Sequence, residues 1–357
     1  MSIVNVLSVS GGKDSTAMWL WAIENDLDIG VVTFADVGNE HPLTYGYVDY
    51  LESKLGPIQR VRADFSLEIA RKREYVATHW FAKLTKDEPG HWVQDPGIDD
   101  EKVPPMPDWE PELRAEGICV EGWMWMPFKA GLTADQANAA IERAKRALVP
   151  TGNPFLDLCL WKGRFPSTKA RFCTEELKVK PIEQQVFRPI IESGNEFVSY
   201  QAVRADESRA RSMLAPSEEL MSKYTAYIYR VERPLLRWTV DEVFAIHRRH
   251  NIMPNPLYKL GMGRVGCMPC IHARKDEMRE ISQRFPEEVE RVAQWERLVA
   301  LASKRGASSF FPTADGRGAN IEEVAEWSHT MRGGTQYDLF KATDDIPLCS
   351  SLYGLCE

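Results

Sequence analysis

The run Ile3-Val4-Asn5-Val6-Leu7-Ser8-Val9 alternates within a β-branched apolar stretch and stops at Gly11 and Gly12. Residues 15–25 then carry Ala17, Met18, Leu20 and Trp21 at helical spacing. This change of period predicts a strand, a tight loop and a helix. The order repeats: a buried strand over 29–34, a polar turn through Gly38 and Asn39, and a helix opened by Pro42 that runs to Leu55. Residues 58–61 supply a third strand. Strands alternating with helices predict an α/β fold, a doubly wound parallel sheet of Rossmann-like type with helices on both faces.

From about Trp80 to Lys162 the pattern breaks. Pro89, Pro96, Pro104, Pro105, Pro107 and Pro111 interrupt it, and Trp80, Trp92, Trp109, Trp123 and Trp125 crowd it. This stretch reads as an insertion. Within it Thr133 and Gln136 form a capping box, and an Ala- and Arg-rich helix follows up to Pro150. Regular structure resumes with a strand over 197–203 and a second capping box, Thr239 with Glu242, whose helix runs to about His250. Residues 275–304 read as helical, and the tail after Phe310 as irregular. The organisation expected is a core of residues 1–79 and 163–265, an insertion of 80–162, and a cysteine-bearing helical and irregular region of 266–357.

The 357 residues, 44% hydrophobic, suffice for a substantial core. Lys and Arg total 44 against 52 Asp and Glu, a net charge of -8 that offers no general attraction to nucleic acid or an anionic membrane. No apolar run reaches about 18 residues, and the start lacks a basic segment before an apolar one, so a cytoplasmic chain without a membrane partner is expected. Seven cysteines in such a chain favour metal or thiol chemistry over a disulfide framework.

The loop Ser10-Gly11-Gly12-Lys13-Asp14-Ser15 leaves a strand and opens a helix. Its glycines let successive N–H groups face one anion, the helix adds its positive end, and Lys13 adds a full charge. It lacks the Walker spacing G-x-x-x-x-G-K-[ST]. Two basic clusters could complete the site. Residues 162–180 carry Lys162, Arg164, Lys169, Arg171, Lys178 and Lys180 against Glu175 and Glu176, with Phe165, Phe172 and Cys173 interleaved and Pro166 and Pro181 stiffening the ends. Arg204, Arg209 and Arg211 follow the strand expected at 197–203 and suit forked contacts with phosphate or sulfate oxygens, although a helix start with ordinary i,i+4 pairs would look the same.

The S-G-G-K-D-S loop resembles that of the PP-loop superfamily, which binds the pyrophosphate of ATP during cleavage between the α- and β-phosphates. Residues 165–181 resemble the arginine- and cysteine-bearing segment of phosphoadenosine phosphosulfate (PAPS) reductases. Arg204 to Arg211 is similar to the R-x-D-E-x-x-R-A element of the sulfate adenylyltransferase small subunit, and Arg233-Pro234-Leu235 through Pro256-Leu257-Tyr258 to a shared P-L-x-x-W…P-L-Y stretch. The resemblance covers residues 1–75 and 163–275. It implies a nucleotide site of Ser10, Gly11, Gly12, Lys13, Asp14, Ser15, Asp36, Lys169, Arg171, Arg204 and Arg209, with Lys13 and Arg204 acting on the leaving pyrophosphate beside Mg2+.

Cys267-Met268-Pro269-Cys270 lets two thiolates share one centre, which could be zinc, an iron–sulfur cluster or a redox pair. The pair follows a Gly-rich turn, Gly261 to Val265, which disfavours a thioredoxin-like motif. Cys173 is the best third ligand. Adenylylsulfate reductases and DNA phosphorothioation sulfurtransferases, which the chain resembles, hold a four-iron four-sulfur (4Fe-4S) cluster on an upstream cysteine segment and a downstream C-x-x-C. This chain has Phe172 where the reductases have a second adjacent cysteine, so Cys349 is assigned as fourth ligand and Cys356 as a mobile nucleophilic thiol, with zinc as the alternative metal. Cys119 and Cys159 read as small core residues in Trp-rich surroundings. His247 reads as a packing histidine, and His272 as an outer partner of the centre.

The activity expected is ATP cleavage to AMP and pyrophosphate, adenylating an acceptor and coupled to sulfur transfer through the cluster, with a sulfur-donor or thiol-reductant protein as partner. Sulfate, tRNA, DNA and small metabolites all fit as acceptor. The alternative is a sulfonucleotide reductase in which Cys356 attacks a pre-formed adenylyl sulfate. A third reading is a non-catalytic nucleotide sensor or defence component.

Overall fold

The computed structural model describes residues 2–94, 105–108, 119–120, 122–222, 224, 227–312 and 317–330. Its strands are β1 (Ile3–Val9), β2 (Ile29–Asp36), β3 (Gln59–Arg62), β4 (His91–Gln94), β5 (Cys119–Val120), β6 (Trp123–Met126), β7 (Glu196–Tyr200), β8 (Ser217–Met221) and β9 (Ile228–Glu232). Two compact units result. One holds the residues up to Ile69 and from Pro150 onward, and the other holds Ala70–Val149.

In the first unit six strands lie in the order β3-β2-β1-β7-β9-β8. All pairs are parallel except β8 with β9. The chain winds from β1 outward through β2 to β3, then crosses to the other side of β1 with β7. The carboxyl end of β1 is therefore the point where the strand order reverses, and a crevice opens there. The Ser10–Ser15 glycine loop begins at that end.

Alternation along β1 sends neighbouring side chains to opposite faces. Leu7 and Val9 join Phe34 on one face, packed with Met18, Leu20, Val48 and Leu51 of the helices Lys13–Glu24 and Pro42–Leu55, and with Val243 and Ile246 of the helix Val240–Arg249. Val6 and Ala35 face the other way, against Val179, Ile182, Val186 and Phe187. The doubly wound α/β reading thus describes the core. Thr239 and Glu242 form the expected capping box, and the strand expected over 197–203 is β7, which ends at Tyr200.

Four expectations are corrected. Pro181 does not bound the 162–180 cluster; it lies inside a helical run over 172–192 that widens into π-type turns at Glu175–Val179 and Glu183–Phe187. A proline ring crowds the carbonyl four residues back and offers no N–H, and wider turns relieve both effects. The single helix expected over 275–304 is two, Lys275–Arg284 and Pro286–Ala302, because Pro286 starts the second where a first-turn N–H is dispensable. The tail holds a further helix, Ile321–His329, capped by the Asn320 side chain on the Glu323 N–H. Cys119 is exposed, and only Cys159 is a buried small residue.

In the second unit β4, β6 and β5 form an antiparallel sheet, with the Trp92 and Trp125 rings edge to face at 5.2 Å. The Thr133–Gln136 capping box starts its helix Ala134–Ala147. No helix among the described residues is long and apolar enough to cross a membrane.

Candidate nucleotide site and adjoining cysteine cavity

The loop after Val9 turns through Gly11 at φ +79°, a backbone state that a side chain disfavours. A β-carbon there would lie 3.0 Å from Thr44 Cγ2. Gly11→Ala is expected to destabilise the fold by about 1–2 kcal/mol, the cost of the left-handed state, and an unchanged urea midpoint would contradict this.

Gly12 caps the helix, and its carbonyl accepts from Ser15 Oγ at 3.1 Å and Thr16 Oγ1 at 3.0 Å. Ser15 Oγ also accepts the Ser10 N–H at 3.1 Å, so the two serines brace the turn across its mouth.

Asp14 is completely buried. Its Oδ1 accepts from Arg204 Nε at 2.6 Å and its Oδ2 from Lys13 Nζ at 2.8 Å. Arg204 donates from Nη1 to Asp206 at 2.6 Å. Burial works against the guanidinium charge, but Asp14, Asp206 and Glu207 outweigh it and raise the pKa. In this arrangement Arg204 reaches the loop through Asp14. The i,i+4 pair expected as the alternative to phosphate contact is present between Glu207 and Arg211, both largely buried, whereas Arg209 is exposed. Lys169 is exposed as well, and Arg171 donates to the Thr168 carbonyl.

At the end of β2, Asp36 Oδ1 accepts from the Gly38 N–H at 3.0 Å and from Tyr45 Oη at 2.8 Å. Tyr45 Oη also lies 2.9 Å from Glu40 Oε2. One phenolic hydrogen cannot serve two ionised carboxylates, so a proton held on Glu40 completes the set. Burial pushes the Glu40 pKa up in the same sense.

Residues 38–41 are tied to the C-x-x-C loop. The Met268 N–H donates to the Asn39 carbonyl at 2.8 Å, Asn39 Nδ2 donates to the Pro269 carbonyl at 3.0 Å, and Glu40 bridges to Cys267. This joins the cysteine loop to the carboxyl end of the sheet. One cavity there is lined by Ser10 of the glycine loop, by Phe34 and Val37, and by three of the four expected cysteine ligands, Cys173, Cys267 and Cys270. Glu40, Thr174, Lys178, Arg264 and His272 add to its polar lining.

Burial raises the Cys173 pKa to about 11, with Cys270 adding to the effect and Lys178 opposing it. Cys267 is pushed up by burial, again against Lys178. Arg264 Nη2 lies 3.7 Å from Cys270 Sγ. Burial thereby keeps Cys173 and Cys267 as thiols near neutral pH unless an electrophilic partner takes the proton's place. His272 is 7% exposed, and both its ring nitrogens are buried without a hydrogen-bond partner. Among the described residues no three His, Cys, Asp or Glu side chains converge closely enough to hold one metal ion. Cys349 and Cys356 lie outside the described residues.

Sequence reasoning missed three loop contacts. His247, expected to be a packing residue, places Nε2 2.9 Å from the Lys13 carbonyl. Asn255 donates to the Gly11 carbonyl, and Tyr258 accepts the Lys13 N–H. The Asn255-Pro256 pair was a legible helix-start signal, but its second bond, to a residue 244 positions away, was not.

The phosphoadenosine phosphosulfate reductase domain matches residues 4–89 and 157–273, more than half of the chain. A protein of Escherichia phage 186, described as an uncharacterized 37.8 kDa protein in the gpa 5' region, is 45% identical over 370 residues, spanning 100% of this chain and 97% of the relative. Among solved structures, the PAPS reductase of Candida auris in a phosphate complex aligns with 74% of this chain and 82% of its own, at 14% identity and a TM-score of 0.35.

Proposed function

Since the chain belongs to the phosphoadenosine phosphosulfate reductase domain family, we propose that it is a PP-loop enzyme that cleaves ATP to AMP and pyrophosphate and couples the adenylated acceptor to sulfur transfer. The observation that carries this reading is that one cavity is lined both by Ser10 of the glycine loop and by Cys173, Cys267 and Cys270. ATP enters as its magnesium complex, with its phosphates on the loop N–H groups and Lys13. An acceptor oxygen attacks the α-phosphorus, and the bond to the α,β-bridging oxygen breaks. Pyrophosphate departs with that electron pair, and the acceptor's proton passes to solvent. Lys13 and the first-turn N–H groups offset the charge that builds on the leaving group. Arg204 holds Asp14, and Asp14 holds Lys13 beside the loop.

Cys173, Cys267 and Cys270 would hold three corners of an iron–sulfur cluster, and Cys349 of the tail or His272 of the cavity wall the fourth. The donor chemistry fits: three thiols lining one cavity, with burial holding Cys173 and Cys267 protonated until a metal displaces the proton, and an imidazole whose ring nitrogens lack partners. Donors that share a cavity without converging on one point suit several irons better than a single zinc ion. Such a cluster would supply a sulfur or electron carrier next to the activated group. The test is anaerobic purification with iron and acid-labile sulfide analysis. Four irons and four sulfides per chain are expected, with loss of most of the iron in Cys267→Ser; zinc in place of iron would refute the sulfur-transfer half.

The family match itself favours a second reading, a sulfonucleotide reductase in which Cys356 attacks the sulfur of adenylyl sulfate. The bond from sulfur to the bridging phosphate oxygen would break, and the nucleotide would leave with its phosphate.

A further inference from the structure

We propose that His247, Asn255 and Tyr258 are positioning residues that set the phosphate loop's geometry from behind, by fixing its peptide groups. The inference rests on the reading of this loop as the nucleotide-phosphate site.

His247 and Asn255 are completely buried and come from two consecutive elements, the helix Val240–Arg249 and the start of the short helix Pro256–Lys259. Each meets a loop carbonyl. Asn255 Nδ2 donates to the Gly11 oxygen at 3.1 Å, while its Oδ1 caps the Leu257 N–H at 3.0 Å. Asparagine spends both ends of one amide here, so its orientation is fixed. His247 Nε2 lies 2.9 Å from the Lys13 oxygen; a carbonyl can only accept, so the imidazole carries its proton on Nε2. The third contact runs the other way, with the Lys13 N–H donating to Tyr258 Oη at 3.0 Å and Lys13 Nζ 5.5 Å from the ring centre.

The geometry gives these bonds a purpose. A trans peptide is planar, with its carbonyl and N–H pointing in opposite directions. Holding the Gly11 carbonyl from one side aims the Gly12 N–H to the other. Holding the Lys13 carbonyl does the same for the Asp14 N–H, a first-turn donor of the helix Lys13–Glu24. Gly11, at positive φ, and Gly12, in an extended state, have little backbone preference of their own, so the two clamps remove the freedom that the sequence allows. An anion then meets donors already aligned, and the ordering cost is met in folding rather than in binding.

The test is calorimetric binding of α,β-methylene-ATP and of adenosine to the full chain and to two variants of His247. His247→Leu removes the donor; His247→Gln restores an N–H near the Nε2 position. His247→Leu is expected to bind the ATP analogue roughly tenfold more weakly, the worth of one buried hydrogen bond. His247→Gln should recover most of that affinity, and adenosine, which has no phosphate, should bind all three proteins alike. If His247→Leu does not fold, Asn255→Ser serves, since serine can still cap the Leu257 N–H but cannot reach Gly11, and it should show the same phosphate-dependent loss. A folded His247→Leu or Asn255→Ser protein that binds the analogue like wild type, or that loses adenosine equally, would overturn the inference alone. Wild-type protein that binds neither compound would overturn the nucleotide reading and the inference with it.

Discussion

Replacing Asp14 by alanine is expected to destabilise the protein by about 3 kcal/mol, the lower end of the cost of leaving one partner of a buried ion pair uncompensated. The Asp14 side chain is fully buried and that of Arg204 is 4% exposed. Without the carboxylate, Arg204 keeps Asp206, whose side chain is half in solvent, and so recovers only part of the loss. Arg204→Met is expected to cost less, because Asp14 retains Lys13 at 2.8 Å. The double variant Asp14→Ala, Arg204→Met should then lie closer to wild type than the sum of the two single changes, since neither member of the pair is left buried without the other. Urea unfolding of the four proteins checks this. Strict additivity would mean that the pair does not act as a unit.

This pair also marks where the sequence stops being readable. The strand, loop and helix at residues 3–24 were legible because each signal is local: alternation, then glycines, then helical spacing. The helix Pro42–Leu55 was legible to the residue, because proline fixes its start and Gly56 follows its end. The Thr133 and Thr239 capping boxes likewise need only four consecutive residues. Asp14 and Arg204, by contrast, are 190 positions apart, and His247 and Lys13 are 234 apart. Nothing in the spacing of a histidine on a helix says which carbonyl it will meet.

Charge patterns misled for a related reason. Arg209 and Arg211 look equivalent in the sequence, yet a turn at residues 205–207 buries Arg211 against Glu207 and leaves Arg209 outside. The cysteines were legible as a group because C-x-x-C spacing is chemically restrictive. That Glu40 would sit against Cys267 was not, since the contact is a backbone bridge, to which side-chain identity contributes little.

Lys13→Ala is expected to lower the rate of nucleotide cleavage by roughly 10²–10³, the usual cost of removing one preorganised group that stabilises developing negative charge. The fold should persist. Asp14 keeps its 2.6 Å bond to Arg204, and the loop keeps the contacts from His247, Asn255 and the two serines. Thermal melting separates the two effects: a midpoint near that of wild type with a rate loss of this size assigns Lys13 to the reaction. Cleavage at the wild-type rate would mean that the loop lysine serves only to neutralise Asp14.

The most direct measurement is the product released from ATP by anaerobically purified protein supplied in turn with sulfate, tRNA, DNA and small-metabolite acceptors. The account predicts pyrophosphate with one of these, matched by an equal amount of adenylated acceptor, or of AMP once an added sulfur donor displaces it, at a rate that falls in Lys13→Ala. ATP left intact throughout, together with conversion of adenylyl sulfate to sulfite in the presence of a thiol, would contradict it and establish the reductase in its place.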